Sequence, residues 1–146
     1  MHVIGLDRVV LATHEIDETA GQFVDALGLE FSERLHPVTE TDAGSQAMDM
    51  VVSDAGIEIV TPDDPDGEIA RFLDENGPGL YAMSLRVADL DAAEAELADG
   101  GLEPVGEFES PDFRERFYHP AAFGGAFVIL AEYDAPHPVA AAFTSG

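Results

Sequence analysis

The chain contains no cysteine and no lysine, and it has neither a long apolar run nor a basic stretch. Without cysteine there is no disulfide, no thiolate nucleophile and no sulfur ligand for a metal. Six arginines stand against 30 acidic residues, a formal net charge of −24. No basic stripe exists to displace counterions from phosphates, so nucleic acid is excluded as a partner. No segment reaches the roughly 18 apolar residues that a membrane-spanning helix needs, and no secretory signal pattern opens the chain. No membrane partner is expected, and a cytoplasmic location is.

The acidity is spread over loops and helix faces rather than gathered in one tail, which reads as a solvated surface. Salt shortens the reach of self-repulsion to about 3 Å at 1 M, so such a surface suits an interior of high ionic strength. Lysine-free acidity resembles the usage of salt-adapted proteins. The 146 residues fit a single domain spanning 1–146, long enough to bury roughly 70% of the unfolded chain's surface.

The second half of the chain repeats the first. Leu6-Asp7-Arg8-Val9-Val10-Leu11 runs into an acidic cap at Glu15 and an amphipathic stretch with Ile16, Ala20, Phe23 and Leu27, closed by Gly28-Leu29-Glu30. Further on, Leu80-Tyr81-Ala82-Met83-Ser84-Leu85 runs into Asp89, then Leu90, Ala93 and Leu97, closed by Gly101-Leu102-Glu103. A repeat decides the architecture: two similar modules pack together, and the cleft between them is the natural site. Module one covers 5–61, with strands at 5–13, 29–36, 45–53 and 56–61, a helix at 16–27 and a polar loop at 38–44. A linker helix at 67–75 and a Gly- and Pro-rich turn follow. Module two covers 80–132, with a strand at 80–88, a helix at 89–99 and strands at 102–109, 113–119 and 125–132. A tail at 133–146 is expected to be loosely ordered or docked on a partner subunit.

Two βαβββ modules, Gly-Leu-Glu after each helix, the run Ile57-Glu58-Ile59-Val60-Thr61-Pro62 and the closing His119-Pro120 and Gly124-Gly125 resemble the vicinal oxygen chelate superfamily. That group includes glyoxalase I, methylmalonyl-CoA epimerase, extradiol dioxygenases, and bleomycin and fosfomycin resistance proteins. The likeness covers residues 6–132 and is nearest to the epimerase branch, through Ile57–Pro62, Ile69-Ala70-Arg71-Phe72-Leu73, Gly79-Leu80 and His119-Pro120. It implies an α+β fold in which the paired modules form a curved mixed sheet around an open cup, and it implies a homodimer, since the edge strands need covering.

In the metal-using members of that superfamily four strand positions supply the ligands. Here they correspond to Arg8, Glu58, Ala82 and Ile129. A guanidinium has no lone pair to give, and Ala and Ile ligate nothing, so no metal site and no cofactor are expected. Arg8 and Glu58 are expected to meet where the metal would sit. Either they form an ion pair that fills an abandoned cavity, or Arg8 keeps spare donors for an anionic ligand, with Arg86 adding a second cation. Val10 and Phe127, with Val60, Met48 and Met50, would line the cup with apolar surface.

Two functions follow as expectations. The first is a metal-free protein that holds a small anionic or aromatic ligand through Arg8, Glu58, Arg86, Val10 and Phe127. The second is an isomerase or lyase related to methylmalonyl-CoA epimerase or glyoxalase I, with Glu58 as acid–base group and Glu40 or His119 as its partner. His119 reads first as a turn residue bonded to backbone, although an imidazole can also carry a proton near neutral pH.

Overall fold

The computed structural model describes residues 3–42 and 44–134. Its elements run in chain order as β1 (Val3–Ala12), α1 (Ile16–Leu27), β2 (Val38–Thr41), β3 (Gly44–Val52), β4 (Ile57–Pro62), α2 (Glu68–Asn76), β5 (Gly79–Val87), α3 (Leu90–Asp99), β6 (Gly106–Glu109), β7 (Arg114–Tyr118) and β8 (Phe127–Glu132). Pro120–Ala122 add one 3₁₀ turn. The expected tail lies, from residue 135 on, outside the described residues.

The α+β architecture is the expected one. Strands follow the order β1-β4-β3-β2-β6-β7-β8-β5 and the ring closes. Within each half the first and last strands pair in parallel, Val10 opposite Glu58 and Ala82 opposite Phe127. The halves meet antiparallel at two seams, β1 on β5 and β2 on β6. This is a sheet curved around a cup, but the cup is ringed completely by strand pairing rather than left open at one side.

The closure comes from a segment that sequence reading placed in a loop. Val38-Thr39-Glu40-Thr41 is polar, yet it alternates, with Thr39 buried and Glu40 exposed. It pairs with β3 on one edge and β6 on the other. Conversely, the strand expected at 29–36 shrinks to an isolated bridge, Leu35 to Met50. Pro37 has no N–H to continue a ladder, and the Ser32 hydroxyl takes the Val52 N–H at 3.1 Å. Likewise β6 starts at Gly106 rather than near 102.

Three apolar clusters hold the fold. Inside the ring, Val10, Ala12, Met48, Val60, Ile69, Leu73, Ala82, Phe117 and Ile129 pack together. Outside it, α1 covers its own module through Ile16 against Val51 and Ile59, with Ala20 and Phe23 beside them. Leu27, expected on that face, is exposed instead. The second module repeats the arrangement, with Leu90 and Ala93 of α3 against Tyr118, Val128 and Leu130. Helix α2 plugs one end of the ring, anchored by the Gln46 side-chain carbonyl, which accepts from the Ile69 N–H at 3.0 Å.

Candidate functional site

The inward faces of the strands surround a cavity of about 590 Å³. Period-two alternation decides what reaches it. On β1 Arg8 and Val10 face in, on β4 Glu58 and Val60, on β7 Glu115 and Phe117, and on β8 Phe127 and Ile129. Most of the wall is apolar or aromatic. Tyr81 and Phe127 stack with ring centres 5.3 Å apart, and Phe117 lies 6.3 Å from Phe127. Burial, then the charge of Glu68, pushes the Tyr81 hydroxyl well above its ordinary pKa.

Arg8 is the buried cation of this wall, and it is 5% exposed. Its Nε donates to Glu58 Oε1 at 2.7 Å. Nη1 donates to Asp7 Oδ2 and, at 3.1 Å, to Ser84 Oγ. Nη2 donates to Glu115 Oε2. Phe113 lies over the guanidinium, 5.5 Å from ring centre to carbon. Burial by itself would lower the Arg8 pKa, but Glu58, Glu115 and Asp7 outweigh it and hold the group well above its ordinary range. Burial raises the Glu115 carboxyl; Arg8 opposes that rise and the neighbouring Glu58 charge adds to it.

Of the residues expected at the site, Arg8, Glu58, Val10 and Phe127 come together in the cavity wall. Two do not. Arg86 lies outside the cavity: its Nη2 donates to the Tyr133 carbonyl at 2.8 Å and its guanidinium stacks on the Tyr133 ring at 4.5 Å. Glu40 is also turned outward, because Thr39 and Thr41 take the inward positions of β2, and its carboxylate accepts from Ser45 Oγ at 2.8 and 3.0 Å. His119 is exposed at the cavity edge, where its Nδ1 accepts from the Ala121 N–H at 3.0 Å, the turn role expected of it.

Three residues that sequence reading missed complete the polar centre: Asp7, Ser84 and Glu115. Ser84 stands opposite Arg8 because β1 and β5 pair antiparallel, whereas the repeat spacing aligns Arg8 with Ala82. Glu115 shares a face with the apolar Phe117, and that parity within Arg114-Glu115-Arg116-Phe117-Tyr118 was the available signal. Arg8 does not keep a set of spare donors. Four of its five N–H groups are committed, three of them to carboxylates.

The residues do not fit the metal that the superfamily resemblance implies. Ala82 and Ile129 belong to the apolar cluster inside the ring. Asp7, Glu58 and Glu115 do not bring three oxygens within 4.8 Å of one another; among the described residues the group that does is His36, Asp49 and Asp63. That group lies outside the cavity, with Arg34 already 3.3 Å from Asp49.

A family model described as the glyoxalase/bleomycin resistance protein/dioxygenase superfamily matches residues 7–118, and the chain belongs to that superfamily. Among solved structures it is similar to methylmalonyl-CoA epimerase from Mycobacterium tuberculosis, at 29% identity over 96% of this chain and 93% of that one, with a TM-score of 0.74. A variant of Streptomyces coelicolor methylmalonyl-CoA epimerase in complex with 2-nitronate-propionyl-CoA is 23% identical over 92% of this chain and 97% of that one, TM-score 0.73. A hypothetical protein from Bacillus halodurans is 16% identical over 90% and 96%, TM-score 0.68. At the two lower identities the likeness establishes the fold. No curated protein sequence matches the chain.

Proposed function

We propose that this protein is a metal-independent member of its superfamily that holds a small, largely apolar or aromatic molecule in the central cavity. The observation that carries this reading is the Arg8 guanidinium, buried and bonded to Asp7, Glu58 and Glu115. It is a tethered cation among the carboxylates of the cup, and a divalent ion would have to compete with an always-charged group for them. The aromatic wall supports the choice of ligand, since pockets of this size and lining bury most of a drug-sized molecule. Elemental analysis of protein purified without chelator should give less than one-tenth equivalent of any transition metal. A stoichiometric metal refutes the reading.

A second reading has one observation in its favour. Glu58 and Glu115 line the same cavity, each bonded to Arg8 through one oxygen, and paired carboxylates serve isomerases as base and acid. With His119 at the rim, this would be a proton-transfer enzyme related to the epimerases. Catalysed deuterium exchange at the α-carbon of methylmalonyl-CoA would establish it, and no exchange above buffer would remove it.

We also propose a homodimer formed through the outer face of β1 and β5. Ile4, Leu6, Leu80 and Met83 are exposed there at 50%, 64%, 67% and 37%, a concentration of apolar surface on an otherwise highly charged molecule. Sedimentation should give twice the chain mass, and Leu6→Glu with Leu80→Glu should halve it.

A further inference from the structure

We propose that the molecule held in the cavity carries a cationic nitrogen head, an ammonium or amidinium, seated on the unbonded oxygens of Glu58 and Glu115. This rests on the cavity being a ligand site, and it replaces the anionic head expected from sequence.

The charges around the polar centre do not balance. Three carboxylates, Asp7, Glu58 and Glu115, face a single guanidinium. The other arginine that lines the cavity, Arg71, is already bonded to Glu68 at 2.8 Å. An anion brought to Arg8 would meet carboxylates on three sides and find at most one N–H group uncommitted.

The oxygens are used unequally. Asp7 is saturated: Oδ1 accepts from the Tyr133 hydroxyl, and Oδ2 accepts from Arg8 and from Ser84 Oγ at 2.9 Å. Glu58 and Glu115 each give one oxygen to Arg8, and among the described residues Glu58 Oε2 and Glu115 Oε1 have no hydrogen bond. Neither is sealed in the protein, since the buried side-chain atoms without a partner are Thr39 Oγ1, Arg86 Nε and Tyr118 OH. Both oxygens therefore keep accessible surface on residues that line the cavity. A neutral apolar occupant would strip water from them and return no donor, which is costly for any polar group and most of all for a carboxylate. A head group with two or more N–H donors and a positive charge satisfies them.

The test uses the full chain and three probes with one body: 4-phenylbutylamine, 4-phenylbutanol and 4-phenylbutanoate, titrated by calorimetry in 2 M KCl. Molar salt removes the attraction of any cation for an acidic surface and leaves buried contacts largely intact. The amine should bind about tenfold or more tightly than the alcohol, and the acid should bind weakest. Glu58→Gln and Glu115→Gln, each checked for native circular dichroism, should each cut the preference for amine over alcohol about tenfold. Ile129→Trp, which puts a larger ring into the cavity beside Phe117 and Phe127, should weaken binding of all three about tenfold or more. An alcohol or acid that binds as tightly as the amine overturns the cationic head and leaves the cavity reading standing. Binding by none of the three, or binding untouched by Ile129→Trp, overturns both. If a Gln variant fails to fold, the ranking of the three probes on the native chain still decides.

Discussion

Arg8 is the residue on which the interior depends. Removing it leaves three carboxylates facing each other at a buried site, and stranding buried charge in this way costs about 3–5 kcal/mol. Arg8→Met should therefore lower unfolding stability by that order, read from urea titrations in molar salt. Arg8→Lys should not rescue it, because an ammonium cannot reach Glu58, Asp7 and Glu115 with a planar fork. Glu115 carries the opposite sign. Its folded pKa lies above its unfolded value, chiefly through burial. Its contribution to stability is present below the ordinary carboxylate value and is lost as pH rises through the raised one. Glu115→Gln keeps the hydrogen bond to Arg8 without the buried charge. It should remove that loss, flattening the pH dependence of the urea midpoint on the alkaline side of the ordinary carboxylate range. An unchanged profile would show that Glu115 is not the group responsible.

Among elements, the seam between β2 and β6 is the most exacting. Thr41 pairs with Gly106 across it, and a Cβ at Gly106 would lie 2.7 Å from the Glu40 carbonyl and 2.9 Å from Phe117 Cδ2. Real side chains do not approach so closely. Gly106→Val should open the seam at a cost of about 1–3 kcal/mol, seen as lost hydrogen-exchange protection at the β2 and β6 amides while α1 and α3 stay protected. Glu40 and Glu107 also stand directly opposite each other there, a like-charge pair that weakens the ladder. A different device holds α3: Asp89 accepts from the Ala92 N–H at 3.0 Å. Asp89→Ala should cost about 1 kcal/mol. The repeat made both modules legible, and helical spacing and Gly stops, which are local signals, made all three helices so. It did not reveal β2, whose threonines face a cavity wall and so look like a polar loop. It overstated the segment before Pro37, where a strand-like composition finds no continuous partner.

At the scale of the molecule, a net charge of −24 is concentrated on a chain of 146 residues. All six arginines are engaged, Arg34 and Arg114 in surface ion pairs and the buried Arg116 with Glu94 among them, so most of the acidity has no local counter-charge. Its repulsion is long-ranged at about 0.1 M salt and confined to a few ångströms at about 1 M. Thermal unfolding should therefore shift upward by several degrees or more between 0.1 and 2 M KCl. A midpoint independent of salt would mean that repulsion contributes little to the balance. Among the described residues no helix is long and apolar enough to cross a membrane.

The sequence alone determined the modular α+β architecture and, read with the superfamily resemblance, led to the expectation that Arg8 meets Glu58. The architecture follows from local spacing, whereas the pairing of Arg8 with Glu58 was implied by the superfamily resemblance and by the chemistry of the two side chains. Tertiary structure alone decided what surrounds Arg8. Glu115 reaches it from 107 positions along the chain and Ser84 from 76, through a closed ring whose far strands meet across the cavity. Arg86 and Glu40 have the right chemistry and the wrong face. A one-residue change of parity moves a side chain from the inside of a sheet to the outside, and only strand pairing fixes that parity.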